Sequence, residues 1–217
     1  MRIAELSERT GLPVATIKFY LRDGLLMPGA ATAPNQATYG EEHVERLRLI
    51  RMLAEVGGLS LGRIRDVVRA IDDPAVRGQA AVRAALHALG PVRDGLPAEV
   101  VAPDERRARD EADRFVDDEL GWQVSSSAPG RRALGAALAA LRRSDPDVDA
   151  SILRPYARAA DWLASEETES FEARVPTDDV VQRVVVRTVV LDAALTALRH
   201  LAREHRAAVA SRTAPAG

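Results

Sequence analysis

The sequence of 217 residues contains no cysteine. This absence excludes disulfide bonds, thiolate metal sites and thiol redox switches. Histidine, another common metal ligand, occurs four times, and His43, His87, His200 and His205 do not form a ligand set. We therefore expect no metal site and no other cofactor.

The sequence also lacks an excess of charge of either sign and a long apolar run. Its net charge is −2, and residues 1–72 carry ten Arg and Lys against nine Asp and Glu. Composition alone therefore does not predict nucleic-acid binding. The most apolar region, residues 180–201, is interrupted by charged side chains, and the N-terminus is polar from residue 5. We expect no membrane span and no signal peptide, and hence a cytoplasmic location.

Aromatic residues are scarce, at 4% of the chain, and none lies between residues 40 and 114. Five of them fall in the C-terminal region: Phe115, Trp122, Tyr156, Trp162 and Phe171. In a region otherwise built from Ala, Val and Leu, these side chains either line a pocket for an apolar small-molecule effector or fill gaps between Ala-rich helices.

Catalytic motifs are missing as well. No serine sits in a nucleophile elbow, and no glycine-rich loop precedes a helix that begins with lysine. The protein is therefore not expected to be an enzyme.

Two short helices open the chain. Residues 3–10 show helical apolar spacing and are followed by Gly11, and residues 12–26 carry Pro13 at an early helical position and Gly24 as a stop. Two short helices joined by a tight turn with glycine form a helix-turn-helix, whose second helix can lie in the DNA major groove.

One face of the second helix is basic. Ile17 and Leu21 are expected to pack inward, while Lys18 and Arg22 point outward. Residues 25–39 predict a two-stranded wing, and residues 41–56 a third helix with further arginines. The predicted DNA-contacting residues are Thr16, Lys18, Phe19, Tyr20, Arg22, Asn35, Gln36, Thr38, Tyr39, Arg46 and Arg51. A solvated helix face, a plain turn at the wing, and pairing of Arg46 with Glu42 or Glu45 are the alternatives.

Residues 1–71 resemble the DNA-binding domain of the MerR family of bacterial transcription regulators. The matching segments are, in order, IAELSERTGL, TIKFY, DGLL-x-P, Tyr39, EEHVERLRLIRML and VGGLSLGRIRDVV. The family pattern reads thr-ile-arg-tyr-tyr in the recognition helix, so Lys18 replaces an arginine. Leu21 stands where the family has an acid, and Ala37 replaces the arginine of the wing.

One recognition helix reads only a few base pairs, so specificity requires a dimer on a near-palindromic promoter operator. The resemblance implies that this dimer distorts an overlong promoter spacer so that RNA polymerase can engage both promoter elements. It also implies that metal-sensing relatives use cysteine ligands, which this chain lacks. The sequence is therefore interpreted as a regulator that does not sense metals. A simple repressor, an architectural DNA binder, and a drug-sequestering module with a DNA-binding appendage are the alternatives.

Three regions are predicted in a mainly α fold. They are a winged helix-turn-helix domain at 1–72, a connecting helix and linker at 73–102, and a helical dimerisation or effector domain at 103–217. The last long helix, residues 178–209, has a wide apolar face. It predicts a two-fold interface formed by Val184, Leu191, Leu195 and Leu198. The alternative is a central helix buried within the monomer.

Overall fold

The computed structural model describes residues 1–33, 36–73, 75–76, 79–90, 103–172 and 180–213. Its helices are α1 (Ile3–Thr10), α2 (Val14–Arg22), α3 (Glu41–Glu55), α4 (Leu61–Asp72), α5 (Gln79–Leu89), α6 (Pro103–Arg114), α7 (Pro129–Ser144), α8 (Arg154–Glu172) and α9 (Val180–Thr213). The strands are β1 (Ala30–Ala33) and β2 (Gln36–Thr38). The predicted mainly α fold with a winged helix-turn-helix is thus confirmed.

The chain forms two compact units. The N-terminal unit combines Met1–Leu89 with Asp178–Gly217, and the inserted unit is Gly90–Thr177. This division differs from the three regions predicted above, because α9 packs on the core of the N-terminal unit and not with the helices that precede it.

The core of the N-terminal unit joins the helix-turn-helix to the three helices that follow it. Leu6 of α1 and Ile17 of α2 have no exposed surface, and neither do Leu47, Ile50 and Ile64. All five belong to one cluster of buried side chains. The prediction that Ile17 packs inward is confirmed, whereas the side chain of Leu21 is only partly buried.

Helix ends in this unit follow local rules. Gly11 ends α1 in the left-handed conformation, with φ 68°. Ser60 caps α4 by accepting a hydrogen bond from the backbone N–H of Arg63 at 3.5 Å. Helix α2 ends at Arg22, and Gly24 follows with φ 72°, which confirms the predicted left-handed stop.

Helix α9 changes its environment along its length. Val185 and Val189 are buried in the core of the N-terminal unit, and Val181 and Val186 pack against that core. From residue 194 to residue 208, by contrast, every side chain is exposed. The interpretation of α9 as a central buried helix therefore applies only to its first part.

The inserted unit is built on the packing of α6 against α7. Its core contains Ala108, Phe115 and Leu138. Helix α6 continues into a π-helical turn at Phe115–Glu119, and a 3₁₀ turn at Ala150–Leu153 leads into α8. Pro155 stands at the second position of α8, where the missing N–H costs nothing, so this proline begins the helix.

Arg131 of α7 is the buried polar centre of the inserted unit. Its side chain is 6% exposed and forms ion pairs with Asp113 at 3.2 Å and Asp117 at 2.5 Å. It also donates hydrogen bonds to the carbonyl oxygens of Val124 at 2.9 Å and Ser125 at 3.1 Å. A buried guanidinium with this many partners ties α6, the π-helical turn and α7 together.

Among the described helices, none combines the length and the apolar character that crossing a membrane requires.

Substitution of Gly57 tests the packing of α9 on the N-terminal unit. A β-carbon at Gly57 would lie 2.8 Å from Cγ1 of Val189 and 2.7 Å from the carbonyl oxygen of Leu53. We expect Gly57→Ala to lower the free energy of unfolding by about 1–3 kcal/mol in urea denaturation. Gly62→Ala is the matched control, because the nearest atom would be Oγ of Ser60 at 4.0 Å. It should be neutral or stabilise α4 by up to about 1 kcal/mol. Equal stability of the two variants would contradict this packing.

Acid sensitivity tests the Arg131 centre. The hydrogen bond from Arg131 to Asp117 holds the pKa of Asp117 below its ordinary value of 3.8. The resulting stabilisation is complete above the pKa of the unfolded chain, about 3.9, and is lost as pH falls through the lower folded-state pKa.

We therefore expect Asp117→Asn to be less stable than wild type at about pH 6, with the difference narrowing below about pH 3.5. The control is Asp118→Asn, since Asp118 is exposed and forms no ion pair within the described ranges. The free energy of unfolding is measured by urea denaturation at about pH 6 and below about pH 3.5. If Asp117→Asn and wild type differ by the same amount at both pH values, the ion pair of Arg131 with Asp117 does not stabilise the fold as described.

Candidate nucleic-acid interface

The exposed side of α2 is the centre of the candidate interface. Lys18 and Arg22 are exposed and lie one helical turn apart, and Thr16 is half-buried beside them. Ile17 and Tyr20 are buried on the other side of the helix. The core therefore determines which residues α2 presents outward.

Tyr20 differs from the predicted contact. Its side chain is 9% exposed and belongs to the core of the N-terminal unit. Burial raises the pKa of its phenol, and the negative charge of Glu55 adds to the effect. Burial therefore argues against a large DNA contact by the Tyr20 ring.

Phe19 and Arg22 form a stacked pair on the outer side of α2. The guanidinium carbon of Arg22 lies 5.6 Å from the centroid of the Phe19 ring. The Phe19 ring in turn lies 5.7 Å from the Tyr20 ring, at an interplanar angle of 58°. These contacts link an exposed cation to the buried side of the helix.

Both ends of α2 are fixed by polar contacts. Before its start, the hydroxyl of Ser7 donates to the carbonyl oxygen of Leu12 at 2.5 Å. After its end, Arg65 of α4 forms an ion pair with Asp23 at 2.5 Å. Sequence patterns do not predict this ion pair, because 42 residues separate the partners and no periodic pattern relates them.

The wing lies beside the N-terminus. Strands β1 and β2 are antiparallel, and backbone hydrogen bonds of 2.9 Å in both directions join Met1 to Tyr39. Arg2 donates to the side-chain oxygen of Gln36 at 2.6 Å. Arg2 was not predicted as part of the site, because a single arginine at the start of the chain belongs to no motif.

The predicted wing residues have different environments. Gln36 is exposed and Thr38 half-buried, whereas Tyr39 is buried and lies edge-on to His43, with ring centroids 5.1 Å apart. Asn35 lies outside the described residues. Gln36 and Thr38 thus remain available to a partner, and Tyr39 mainly supports the wing.

The two predicted arginines of α3 are engaged within the chain. Arg46 is 9% exposed and forms an ion pair with Asp72 of α4, not with Glu42 or Glu45. Arg51 binds the carboxylate of Glu55 at 2.9 Å and donates to the carbonyl oxygen of Thr10 at 3.3 Å. These contacts argue against the predicted phosphate contacts and give both arginines a structural role. Spacing alone did not separate these arginines from the exposed Arg48.

The model of the MerR HTH family regulatory proteins matches residues 1–71. The solved structure of SCO5550, a proposed transcriptional regulator from Streptomyces coelicolor A3(2), is 37% identical, covers 96% of both chains and superposes with a TM-score of 0.67. The chain belongs to the MerR family.

Two curated relatives each match about a third of this MerR-family chain. The HTH-type transcriptional regulator CueR of Salmonella typhi is 31% identical over 74 residues, which cover 34% of this chain and 53% of CueR. The nodulation protein NolA of Bradyrhizobium elkanii is 42% identical over 67 residues, which cover 31% of this chain and 30% of NolA. The chain thus spans about half the length of CueR.

In this MerR-family protein, five aromatic residues are the predicted lining of an effector pocket. The structure places Phe115 and Trp122 in or against the core of the inserted unit. Tyr156 and Trp162 are 51% and 61% exposed on α8, and nothing is described of the Phe171 side chain. Phe115 and Trp122 therefore have the core-filling role that was the alternative. Within the described part of the chain, no three His, Asp or Glu side chains cluster as metal ligands.

Substitution of Arg46 distinguishes a structural arginine from a DNA contact. We expect Arg46→Ala to lower the free energy of unfolding by about 1–3 kcal/mol, because it removes a buried charge-assisted hydrogen bond. The salt dependence of DNA binding should stay unchanged, since no phosphate contact is lost. Asp72→Asn should also destabilise the protein. A stable Arg46→Ala variant whose salt slope falls by about one would show instead that Arg46 contacts phosphate.

Proposed function

We propose that this MerR-family chain is a transcriptional regulator that binds double-stranded DNA with α2 in the major groove. The observation that carries the proposal is the pair of exposed cations, Lys18 and Arg22, on a helix whose other side is locked into the core. A rigid helix with cations on one face fits the geometry with which helix-turn-helix proteins contact base edges and phosphates. The proposal includes a cytoplasmic location for the protein.

The wing supplies a second contact in this proposal. Gln36 and Arg2 are joined by a hydrogen bond and are both exposed, so they can reach the sugar-phosphate backbone or the minor groove beside α2. Phosphate contacts fix the register of the protein, and base contacts by α2 give the specificity.

Sequence-specific binding is proposed to require a homodimer. A single recognition helix reads few base pairs, so two helices must occupy major grooves of a near-palindromic operator. As the resemblance to the family implies, the bound dimer is proposed to distort a promoter so that RNA polymerase engages it. An apolar small molecule that regulates this step is part of the same proposal.

The exposed part of α9 is the proposed dimer interface. Leu195, Leu198 and Leu201 are 46%, 62% and 59% exposed. Leucines exposed to this degree on one stretch of helix are typical of an interaction surface. Leu191, Leu195, Leu198 and Ala202 follow one another at spacings of four, three and four residues, which is the pattern of a two-stranded coiled coil. The next two positions of the pattern are His205 and Val209.

This interface is separate from the side of α9 that packs on its own chain. Val189 and Leu198 are nine residues apart and so lie about 180° apart around the helix. The valine side is covered by the core of the N-terminal unit, whereas the leucine side is free for a second copy. Val184, the fourth predicted interface residue, is half-buried at the start of the leucine side.

Charge along the edge of this leucine side favours a second copy in antiparallel orientation. Asp192, Arg199 and Arg206 recur at seven-residue spacing along one edge. In an antiparallel pair, the same edge of each helix meets its equivalent, which brings the acidic end of one edge near the basic end of the other. A two-fold axis midway between residues 192 and 206 pairs Asp192 of each copy with Arg206 of the other, and it also brings the two copies of Arg199 near each other.

Substitutions on α2 test the DNA-binding face. We expect Lys18→Ala and Arg22→Ala each to weaken operator binding without changing thermal stability, because both side chains are exposed. Loss of a phosphate contact lowers the salt slope by about one, and loss of a base contact costs about 1–3 kcal/mol at one base pair. Fluorescence anisotropy with duplexes selected by the wild-type protein measures both. Unchanged affinity in both variants at physiological salt would falsify the assignment of α2.

Charge substitutions on α9 test the dimer. We expect the combined Leu195→Glu and Leu198→Glu variant to sediment as a folded monomer and to bind the operator about tenfold or more weakly, because two DNA-binding units no longer act together. Thr196→Glu is the control for an added negative charge, since it places one glutamate on the exposed part of α9 away from the leucines. A double variant that remains fully dimeric would place the interface elsewhere.

A further inference from the structure

Phe19 supports the guanidinium of Arg22. The 5.6 Å between the Arg22 guanidinium carbon and the ring centroid is within the roughly 6 Å over which an aromatic face attracts a cation. Within the described ranges, the Arg22 side chain forms no hydrogen bond or ion pair. The ring is therefore the contact that orients this side chain, and the N–H donors of the guanidinium remain free for a partner outside the chain.

The Phe19 ring is itself held in place. It is partly buried against the core of the N-terminal unit and lies against the ring of Tyr20, which is 9% exposed. A ring fixed in this way gives Arg22 a rigid support, whereas nothing comparable is described for Lys18. Arg22 is thus oriented before DNA arrives, which reduces the freedom that its long side chain loses on binding.

The chemistry of the two side chains assigns them different tasks. A phenyl ring has no hydroxyl group and cannot donate a hydrogen bond to phosphate or to a base edge. An oriented guanidinium presents two parallel N–H donors, which match O6 and N7 of guanine in the major groove. The ring therefore serves DNA recognition through Arg22 and not by a polar contact of its own.

We propose that Phe19 is a positioning residue that holds Arg22 for bidentate recognition of a guanine in the major groove. The proposal rests on the proposed function of α2, and it adds a specificity role for Phe19 and Arg22 that Lys18 does not share.

The test uses the full-length chain and duplexes selected from a random library by the wild-type protein. Binding is measured to the selected duplex and to duplexes that each differ from it at one base pair. We expect Phe19→Leu to weaken binding to the selected duplex by about two- to fivefold. It should also reduce the preference for guanine at the position whose preference disappears in Arg22→Ala. Phe19→Tyr keeps the ring, so this variant should retain the wild-type affinity for the selected duplex and the preference for guanine.

A double-mutant cycle separates positioning from packing. If Phe19 acts through Arg22, Phe19→Leu has no further effect in the Arg22→Ala background. An equal loss with and without Arg22 would overturn the proposal, as would an unchanged guanine preference in Phe19→Leu. Failure of the proposed function is distinguishable, because then neither Lys18→Ala nor Arg22→Ala alters binding. Thermal unfolding of each variant establishes that it is folded at the temperature of the binding measurement.

Discussion

The candidate interface depends on the burial of Ile17. This side chain has no exposed surface and lies in the same core as Leu6 and Leu47. Because α2 is only nine residues long, fixing one side of the helix determines where every other side chain on it points. Burial of Ile17 therefore turns Lys18 and Arg22 outward. The ion pair between Arg65 and Asp23 then connects the end of α2 to α4.

The two parts of the last helix have different environments. Its first part completes the core of that unit through Val185 and Val189, close to α3 and α5. Its second part carries leucines that no described residue covers. One helix thus combines packing within the chain with a surface suited to a second copy. The inserted unit is connected by its two ends to α5 and α9, which pack against each other in the N-terminal unit.

The sequence predicted the N-terminal fold well, because its signals are local. Helical spacing, Gly11 and the Ser60 cap each act within a few residues, so the helices and the inward side of Ile17 follow from pattern alone. The environments of Arg46 and Arg51 did not follow, since their partners lie on other helices as well as their own. The placement of α9 was missed for the same reason. The apolar pattern of a helix predicts that the helix packs against other elements, but it does not predict which of two compact units provides them.

Because the chain has no cysteine, a single introduced thiol can test the proposed placement of α2 in the DNA major groove. Ala15 is exposed on α2, so Ala15→Cys can carry an iron chelate that cleaves nearby DNA with hydroxyl radicals. With α2 in the major groove and two copies bound, we predict two clusters of cuts in major grooves on one face of the selected duplex, separated by about one helical turn or a multiple of it. Absence of cuts from a labelled protein that still binds this duplex would contradict the account.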